Sequence, residues 1–343
     1  MNLNSSLRIK DVTLRVEIER WPLVTPFRVT GYTWHTLDTI LVTLEREGAQ
    51  GRGEASGVYY RGETAASLTE QIESVRARVQ AGVSRESLLT LLPPGGARCA
   101  LDCALWDLEA KITGRCAWQL AGIEPPHPLR ATFTCGADEP AAMAAAAVAY
   151  TDAQAIKLKL TGDARDAARV RAVREARPDV TLRVDANQGF TVAGLEQLMP
   201  VLVEARVELL EQPFPIGEEA LLTGFRSPIP LAADESVQCL ADVPPLVGRF
   251  QVVNIKLEKC GGLTEALAMT QAAGTLGLKT MVGNMLGTSL AMAPGYLLGQ
   301  MCDIVELDGP LALSKDRSNR ATYAKGYISC PESLWGDVRR DRP

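Results

Sequence analysis

Histidine is scarce in this sequence, which holds only His35 and His127 among 343 residues. Chemistry built on a histidine base or on histidine-bound zinc therefore has almost nothing to work with. His127 lies between two prolines in a segment that resembles an interdomain connection, so we interpret it as structural. His35 lies in an early loop beside aromatic residues, where contact with a substrate is an open alternative.

Other absences narrow the class of protein. The eight cysteines are scattered without a CxxC pair, and Cys99 and Cys103 lie four apart in an apolar helical stretch, which is typical of buried thiols. No apolar run is close to the length of about 20 residues that spans a membrane. The N-terminus lacks the apolar core of a signal peptide. A net charge of −5 without a basic stripe argues against nucleic-acid binding. We therefore expect a cytoplasmic protein that binds neither nucleic acid nor membrane.

The first third of the chain has its own pattern. Alternating apolar and polar residues predict strands over 7–19 and 38–47, with a turn at Gly48. Two helical stretches follow, over 64–81 and 97–120. Strands followed by helices are typical of an α+β domain, which we place at 1–125. The segment GIEPPHP contains three prolines and therefore reads as a linker.

From about residue 130, strand-like and helix-like patterns alternate. Eight strands with seven intervening helices are typical of a closed parallel barrel. The candidate strands are ATFTCG, AIKLKL, TLRVDAN, ELLEQP, LAADES, VVNIKL, TMVGNM and IVELDG. We predict a TIM-like α/β barrel, as (β/α)8 or a modified (β/α)7β form, over 126–310. The irregular segment 311–343 is expected to pack back on the first domain.

Charged residues recur at the ends of five successive candidate strands. They are Lys159, Asp185, Glu211, Asp234 and Lys256, at intervals of 22 to 26 residues by subtraction of their numbers. Each interval matches one strand–helix unit, and the carboxyl ends of barrel strands open onto one mouth. A single charge at a strand end is usually only solvated, but five in a row inside apolar runs predict a functional site.

The three carboxylates among these residues predict a metal site. Asp185, Glu211 and Asp234 offer hard oxygen ligands with no histidine or thiolate nearby, which favours Mg2+, one per subunit. Two positions after Asp185, Asn187 faces the same side of the strand. Asn187 could form a hydrogen bond to a metal-ligand carboxylate or to the substrate. A role in the turn alone is an equal alternative.

The two lysines flank this carboxylate group in sequence. Lys159 lies two strands before the middle carboxylate and Lys256 two strands after it, so we expect them on opposite sides of the barrel mouth. Lys157 points to the same face as Lys159 because side chains alternate along a strand. One lysine on each side of a metal-bound small-molecule carboxylate would let a proton leave one face and return on the other, which inverts a stereocentre.

The motifs KLK, VDAN, EQP, ADES and NIKLEKCGG together resemble the enolase superfamily, in its muconate-lactonizing-enzyme subgroup. The resemblance spans nearly the whole chain and makes 1–125, completed by the C-terminal segment, the capping domain. It implies that the three carboxylates bind Mg2+ and that Lys159 and Lys256 form the acid/base pair. It also implies that Lys157 contacts the substrate carboxylate.

Within the subgroup, the run ELDG resembles dipeptide epimerases, in which two acidic residues spaced by one hold the substrate ammonium group. Here they are Glu306, where the usual residue is aspartate, and Asp308. The same resemblance implies substrate contacts for Thr134 and for Met285, although a packing methionine is an equal alternative. The stretch GNMLGTS lacks the acidic residue that many relatives have after the methionine.

Several alternatives stay open at this stage. The same machinery serves cycloisomerases, o-succinylbenzoate synthase-type dehydratases, N-acylamino-acid racemases and hydroxy-amino-acid dehydratases, and a non-catalytic binding protein is a further possibility. Specificity is expected from the capping loops at 25–34 and 55–64, where side chains either shape a lid or pack between domains. These side chains are Tyr32, Trp34, Tyr59, Tyr60 and Arg61. We also expect a homo-oligomer.

Overall fold

The computed structural model describes residues 6–29 and 31–338. The start of the chain at 1–5 and the last residues of the predicted C-terminal segment, 339–343, lie outside the described residues. Thr30, within the predicted loop 25–34, lies outside them as well.

An antiparallel sheet opens the fold. It consists of β1 (Thr13–Val29), β2 (Tyr32–Arg46) and β3 (Ala49–Ala55), paired in the order β1-β2-β3. The predicted turn at Gly48 joins β2 to β3, where Glu47 and Gly48 both have positive φ, of 52° and 78°. Glycine takes this left-handed conformation without a steric cost, which permits the short reversal.

Four helices follow: α1 (Ala65–Ala81), α2 (Arg85–Leu91), α3 (Gly96–Thr113) and α4 (Ala117–Leu120). Of these, α1 and α3 pack against the sheet, and α2 and α4 contact α3. The backbone N–H of Ser67 donates to the Thr64 side chain at 3.1 Å and caps α1. The predicted helix over 97–120 is wrong as a single element, because Gly114 ends α3 in the left-handed conformation with φ 66°. The seven-residue α2 was missed because it spans only two turns.

Eight parallel strands form the barrel sheet. After a short strand β4 (Leu129–Arg130), they are β5 (Thr132–Cys135), β6 (Ala155–Lys159), β7 (Thr181–Asp185), β8 (Val207–Glu211), β9 (Leu231–Ala233), β10 (Val252–Lys256), β11 (Lys279–Gly283) and β12 (Ile304–Val305). They pair in sequence order from β5 to β12. Six of the eight strands lie within their predicted segments, and β8 and β11 begin one residue earlier, at Val207 and Lys279. The predicted fold class is confirmed.

The prediction of seven intervening helices is wrong in two places. α-Helices fill five of the links: α5 (Pro140–Ala149), α6 (Asp166–Ala176), α7 (Val192–Glu204), α8 (Leu257–Cys260) with α9 (Leu263–Thr275), and α10 (Ser289–Gly299). Among the described residues, the links after β8 and β9 contain only 3-10 turns, at Glu219–Leu222, Leu240–Asp242 and Pro244–Leu246. Prolines in both links lack the N–H that a helix needs, which keeps these connections irregular.

Side-chain alternation divides the barrel interior into two layers. A small apolar cluster consists of Leu209, Ala232, Val252 and Met281, with Ile304 packed against it. These residues lie two positions before Glu211, Asp234, Asn254, Gly283 and Glu306 on their strands, so both sets point inward. The apolar layer therefore fills the barrel beneath a layer of mostly polar side chains at the carboxyl ends.

The C-terminal segment contacts the first sheet and helix α3. Its strands β13 (Thr322–Ala324) and β14 (Tyr327–Ser329) form a small sheet with β4. Trp335 Nε1 donates to the backbone oxygens of Arg52 and Cys103, both at 3.1 Å. The domain bounds at 125 and 310 stay a prediction. In the described part of the chain, no helix has the length and apolar character to cross a membrane.

Candidate active site

Three carboxylates meet at the carboxyl ends of adjacent strands. Asp185 ends β7, Glu211 ends β8 and Asp234 follows β9 directly. One oxygen from each lies within 4.8 Å of the others, and all three side chains are buried. Neighbouring strands lie about 4.8 Å apart, so residues at the same level of successive strands come together in this way.

The electrostatics of this carboxylate group favour a bound cation. Burial, followed by the charge of Asp185, raises the pKa of Glu211 to about 8. Burial also disfavours ionised Asp234, but Lys256 and Lys259 outweigh it and hold the pKa of Asp234 well below its usual value. Additional positive charge would be needed to keep Glu211 ionised. Three hard oxygen donors of this kind fit a divalent cation.

The two predicted proton-transfer lysines lie at opposite ends of this group. Lys159 Nζ lies 2.5 Å from Asp185 Oδ2, and Lys256 Nζ lies 2.5 Å from Asp234 Oδ2. Their strands, β6 and β10, flank β7, β8 and β9 in the sheet. Burial disfavours the Lys256 ammonium, but Asp234 and Glu211 outweigh it and hold the pKa of Lys256 well above its usual value.

Two residues that the sequence interpretation missed hold the carboxylates in place. Lys259 Nζ donates to Oδ1 and the backbone oxygen of Asp234, both at 2.5 Å, and to the backbone oxygen of Asn254 at 3.0 Å. Asn254 Nδ2 donates to Glu211 Oε1 at 2.6 Å. Asn254 could have been found, because it lies two positions before Lys256 on the same strand face. Lys259 lies in the motif NIKLEKCGG, but the motif was used only to identify the family and no role was assigned to this lysine.

Asn187 has the predicted turn position, and its ligand- or substrate-binding role stays a prediction. Its φ of 41° places it in a turn after β7, where its N–H donates to Asp185 Oδ1 at 2.8 Å. Its side chain lines the cavity and donates through Nδ2 to Glu235 Oε1 at 3.2 Å. Burial and the charge of Asp234 raise the pKa of Glu235 to about 7. The sequence interpretation did not single out Glu235.

A second acidic pair follows β12. Glu306 forms an ion pair with Lys157, whose Nζ also lies 3.1 Å from Glu211 Oε2. Burial disfavours the Lys157 ammonium, but Glu211 and Glu306 outweigh it and hold the pKa of Lys157 well above its usual value. The backbone N–H of Thr134 donates to Asp308 Oδ2 at 2.6 Å. Burial, with the charge of Glu306, raises the pKa of Asp308.

A cavity of about 650 Å³ lies between residues of the capping domain and the carboxyl ends of the barrel strands. Every residue that the sequence assigned to proton transfer or substrate binding lines it: Thr134, Lys157, Lys159, Asn187, Lys256, Met285, Glu306 and Asp308. Asn284 and Leu286 flank Met285 in the wall. The Met285 side chain is 6% exposed, so it packs in the wall and also borders the space.

Two of the five predicted capping side chains line this cavity. The rings of Trp34 and Tyr59 lie 5.0 Å apart at a steep angle, and Tyr32 packs its ring 4.5 Å from Tyr59. Tyr60 instead accepts a hydrogen bond from Gln238 Nε2 at 2.9 Å. An aromatic wall therefore covers the cavity from the capping side.

Other candidates from the sequence lie elsewhere. Arg61 donates to the backbone oxygen of Pro94 at 3.1 Å, which is a packing role. The prediction of a loop at His35 is wrong, because the residue lies exposed on β2, and it is not part of the cavity wall. His127 holds the interdomain connection, because its backbone oxygen accepts from Tyr296 OH at 2.7 Å.

Two family models match the chain. The N-terminal domain of the mandelate racemase / muconate lactonizing enzyme family matches residues 11–122, and an enolase C-terminal domain-like model matches 140–332. The L-Ala-D/L-Glu epimerase of Escherichia coli K12 is 39% identical over 318 residues, which are 92% of this chain and 99% of that one. An N-acetyl-D-glutamate racemase of a Pseudoalteromonas species is 44% identical over 251 residues, 73% of this chain and 79% of that one.

Solved structures show the same likeness. One is an enolase family member from Agrobacterium tumefaciens with homology to dipeptide epimerases, solved with sodium and L-Ala-L-Glu. It superposes with a TM-score of 0.92 at 38% identity, and the match covers 95% of this chain and all of that one. A dipeptide epimerase from Enterococcus faecalis, complexed with Mg and L-Leu-L-Tyr, gives a TM-score of 0.85 at 29% identity, with 96% and 99% coverage.

Proposed function

Because this chain belongs to the enolase superfamily, with mandelate racemase / muconate lactonizing enzyme domains, we propose that it is an isomerase that moves the proton on the carbon beside a carboxylate. It epimerises a dipeptide or racemises an amino-acid derivative. Relatives named as an L-Ala-D/L-Glu epimerase and an N-acetyl-D-glutamate racemase support this function.

One observation carries the proposal: two buried lysines flank the carboxylate group from opposite sides. Lys159 would take or return the proton on one face of the substrate carbon, and Lys256 would do so on the other. Each Nζ already lies 2.5 Å from an aspartate oxygen, which orients it. Removal on one side followed by return on the other inverts the carbon.

Asp185, Glu211 and Asp234 would hold Mg2+, one per subunit. The donor set supports this choice, as does the magnesium in the Enterococcus faecalis epimerase structure. When bound, the cation supplies positive charge beside the substrate carboxylate and so stabilises the negative charge that develops as the α-proton leaves. Lys157 and Asn187 border the same space and are proposed to contact the substrate.

The amino end of a dipeptide would lie near Glu306 and Asp308. Both carboxylates line the cavity, Glu306 buried and Asp308 half-buried, and an ammonium group is a suitable partner for them. Thr134 fixes Asp308 through its backbone N–H. A muconate or succinyl group would meet negative charge here, so cycloisomerisation and o-succinylbenzoate-type dehydration fit the site less well. Met285 and the aromatic wall would contact apolar parts of the substrate.

Racemisation of an N-acylated amino acid is the second candidate. It is favoured by the N-acetyl-D-glutamate racemase, which is 44% identical over the matched residues. The reacting α-carbon and its carboxylate would be the same in both reactions. The two candidates differ only in whether the substrate carries an ammonium group.

Incubation with a library of dipeptides and N-acyl amino acids in D2O tests the proposal. Deuterium should enter the α position of the residue that bears the free carboxylate, as a mass increase of one unit. Absence of exchange from every compound would contradict the proposed function. The eight free thiols support a reducing compartment such as the cytoplasm. A homo-oligomer stays a prediction.

A further inference from the structure

The two acidic residues at the amino end of the cavity are not equivalent. Glu306 forms an ion pair with Lys157, and both side chains are nearly fully buried, at 3% and 5% exposure. The negative charge of Glu306 also acts on the guanidinium of Arg183 on β7. Burial lowers the pKa of Arg183, and the charge of Glu306 is the largest effect that raises it again. The negative charge of Glu306 is therefore already compensated within the protein.

Asp308 has no comparable partner. Its Oδ2 accepts the Thr134 N–H, and no described cation lies within ion-pair distance of its carboxylate. Burial raises the pKa of Asp308 because the charged form is desolvated. Of the two carboxylates, only Asp308 lacks an ion-pair partner among the described residues, and the more distant charge of Lys157 offsets its burial only in part.

This difference sets the cost of binding a substrate without an ammonium group. A carboxylate that a bound ligand shields from water is unfavourable without a counter-charge, so two uncompensated acids would penalise an N-acyl substrate twice. Here the penalty falls on Asp308 alone. Meanwhile Glu306 Oε1 is buried, has no hydrogen-bond partner among the described residues, and can accept one N–H from a ligand in the cavity.

We infer that Glu306 is a specificity-determining residue whose ion pair with Lys157 lets this site process N-acyl amino acids as well as dipeptides. The inference rests on the proposed function. It adds that the ion pair allows substrates that lack an ammonium group. An aspartate at this position would draw its carboxylate back by about 1.5 Å, the length of one carbon–carbon bond. It would weaken the ion pair with Lys157 and leave a second acid in need of an ammonium group.

A comparison of two substrates measures the effect of the ammonium group alone. L-Ala-L-Glu and N-propionyl-L-glutamate share the reacting glutamate and the carbon skeleton, and they differ only in the presence of the ammonium. For the Mg2+-loaded full-length protein, kcat/KM is measured for each compound by α-proton exchange in D2O. The wild type should process both within about tenfold of each other. Glu306→Asp should widen the preference for L-Ala-L-Glu by about tenfold or more, equivalent to about 1.4 kcal/mol.

Two further variants make the result decisive. Asp308→Asn should lower the value for L-Ala-L-Glu and raise that for N-propionyl-L-glutamate, because it removes the unpaired charge, and it tests the difference between the two acids if Glu306→Asp does not fold. Glu196→Asp makes the same chemical change at an exposed position of α7 and should leave the ratio unchanged.

The outcomes separate the inference from the function on which it rests. Exchange of L-Ala-L-Glu without exchange of N-propionyl-L-glutamate overturns the inference and preserves the proposed function. An unchanged ratio in folded Glu306→Asp, or parallel losses in Asp308→Asn, overturns it as well. If the wild type exchanges neither compound nor any member of the library, both the inference and the proposed function are contradicted.

Discussion

Replacing Lys259 by methionine should lower the free energy of unfolding by about 3–5 kcal/mol, the usual cost of removing one partner of a buried ion pair. The Lys259 side chain is 1% exposed, and its three ammonium hydrogens have partners on Asp234 and Asn254. Methionine has a similar length but no donor. The variant therefore leaves Asp234 with Lys256 as its remaining close cation.

Urea unfolding with EDTA measures this loss, and a second series with saturating Mg2+ tests its cause. A divalent cation held by Asp234 would restore positive charge, so the difference from wild type should narrow when Mg2+ is present. Lys279→Met is the matched control, because Lys279 is exposed at the start of β11 and its replacement should change stability by less than about 0.5 kcal/mol. A loss below about 1 kcal/mol for Lys259→Met would refute the reasoning.

Two further predictions concern pH and packing. Burial raises the pKa of Asp102 to about 6, so the folded protein keeps this proton where the unfolded chain, with a pKa near 3.8, has released it. Wild type should therefore lose about 2–3 kcal/mol of stability relative to Asp102→Asn as the pH rises from about 4 to 7, and urea unfolding that shows no pH-dependent difference would contradict this. A Cβ at Gly283 would lie 2.5 Å from Asn254 Oδ1 and 3.0 Å from Lys256 Cε. Gly283→Ala should therefore lower kcat/KM at least about tenfold without changing the circular dichroism, and unaltered kinetics would argue against a tight fit around Lys256.

The barrel and the meeting of the charged residues could be predicted because both depend on regular periods. One strand with its connection recurs every 22 to 26 residues between Lys159 and Lys256, and parallel strands align their carboxyl ends. The alternation along each strand then places Lys157 on the same face as Lys159. These relations hold whatever the surrounding side chains are.

Features that depend on the reach of individual side chains could not be predicted. Glu306 and Lys157 are 149 positions apart, and their ion pair depends on the length of both side chains. Lys259 turns back to Asp234 from a short helix that no period describes. The split of the helix predicted over 97–120 depended on the backbone conformation of Gly114, which glycine permits and the helical pattern around it concealed.

The two-lysine arrangement is tested most directly by deuterium exchange from each epimer of a substrate in D2O. Lys159→Ala and Lys256→Ala should each reduce epimerisation by at least about a hundredfold, the usual contribution of a general base. Each variant should still exchange the α-proton of one epimer, and the two variants should retain opposite epimers. Interconversion of epimers by either variant, or exchange of the same epimer by both, would contradict the assignment of one lysine to each face.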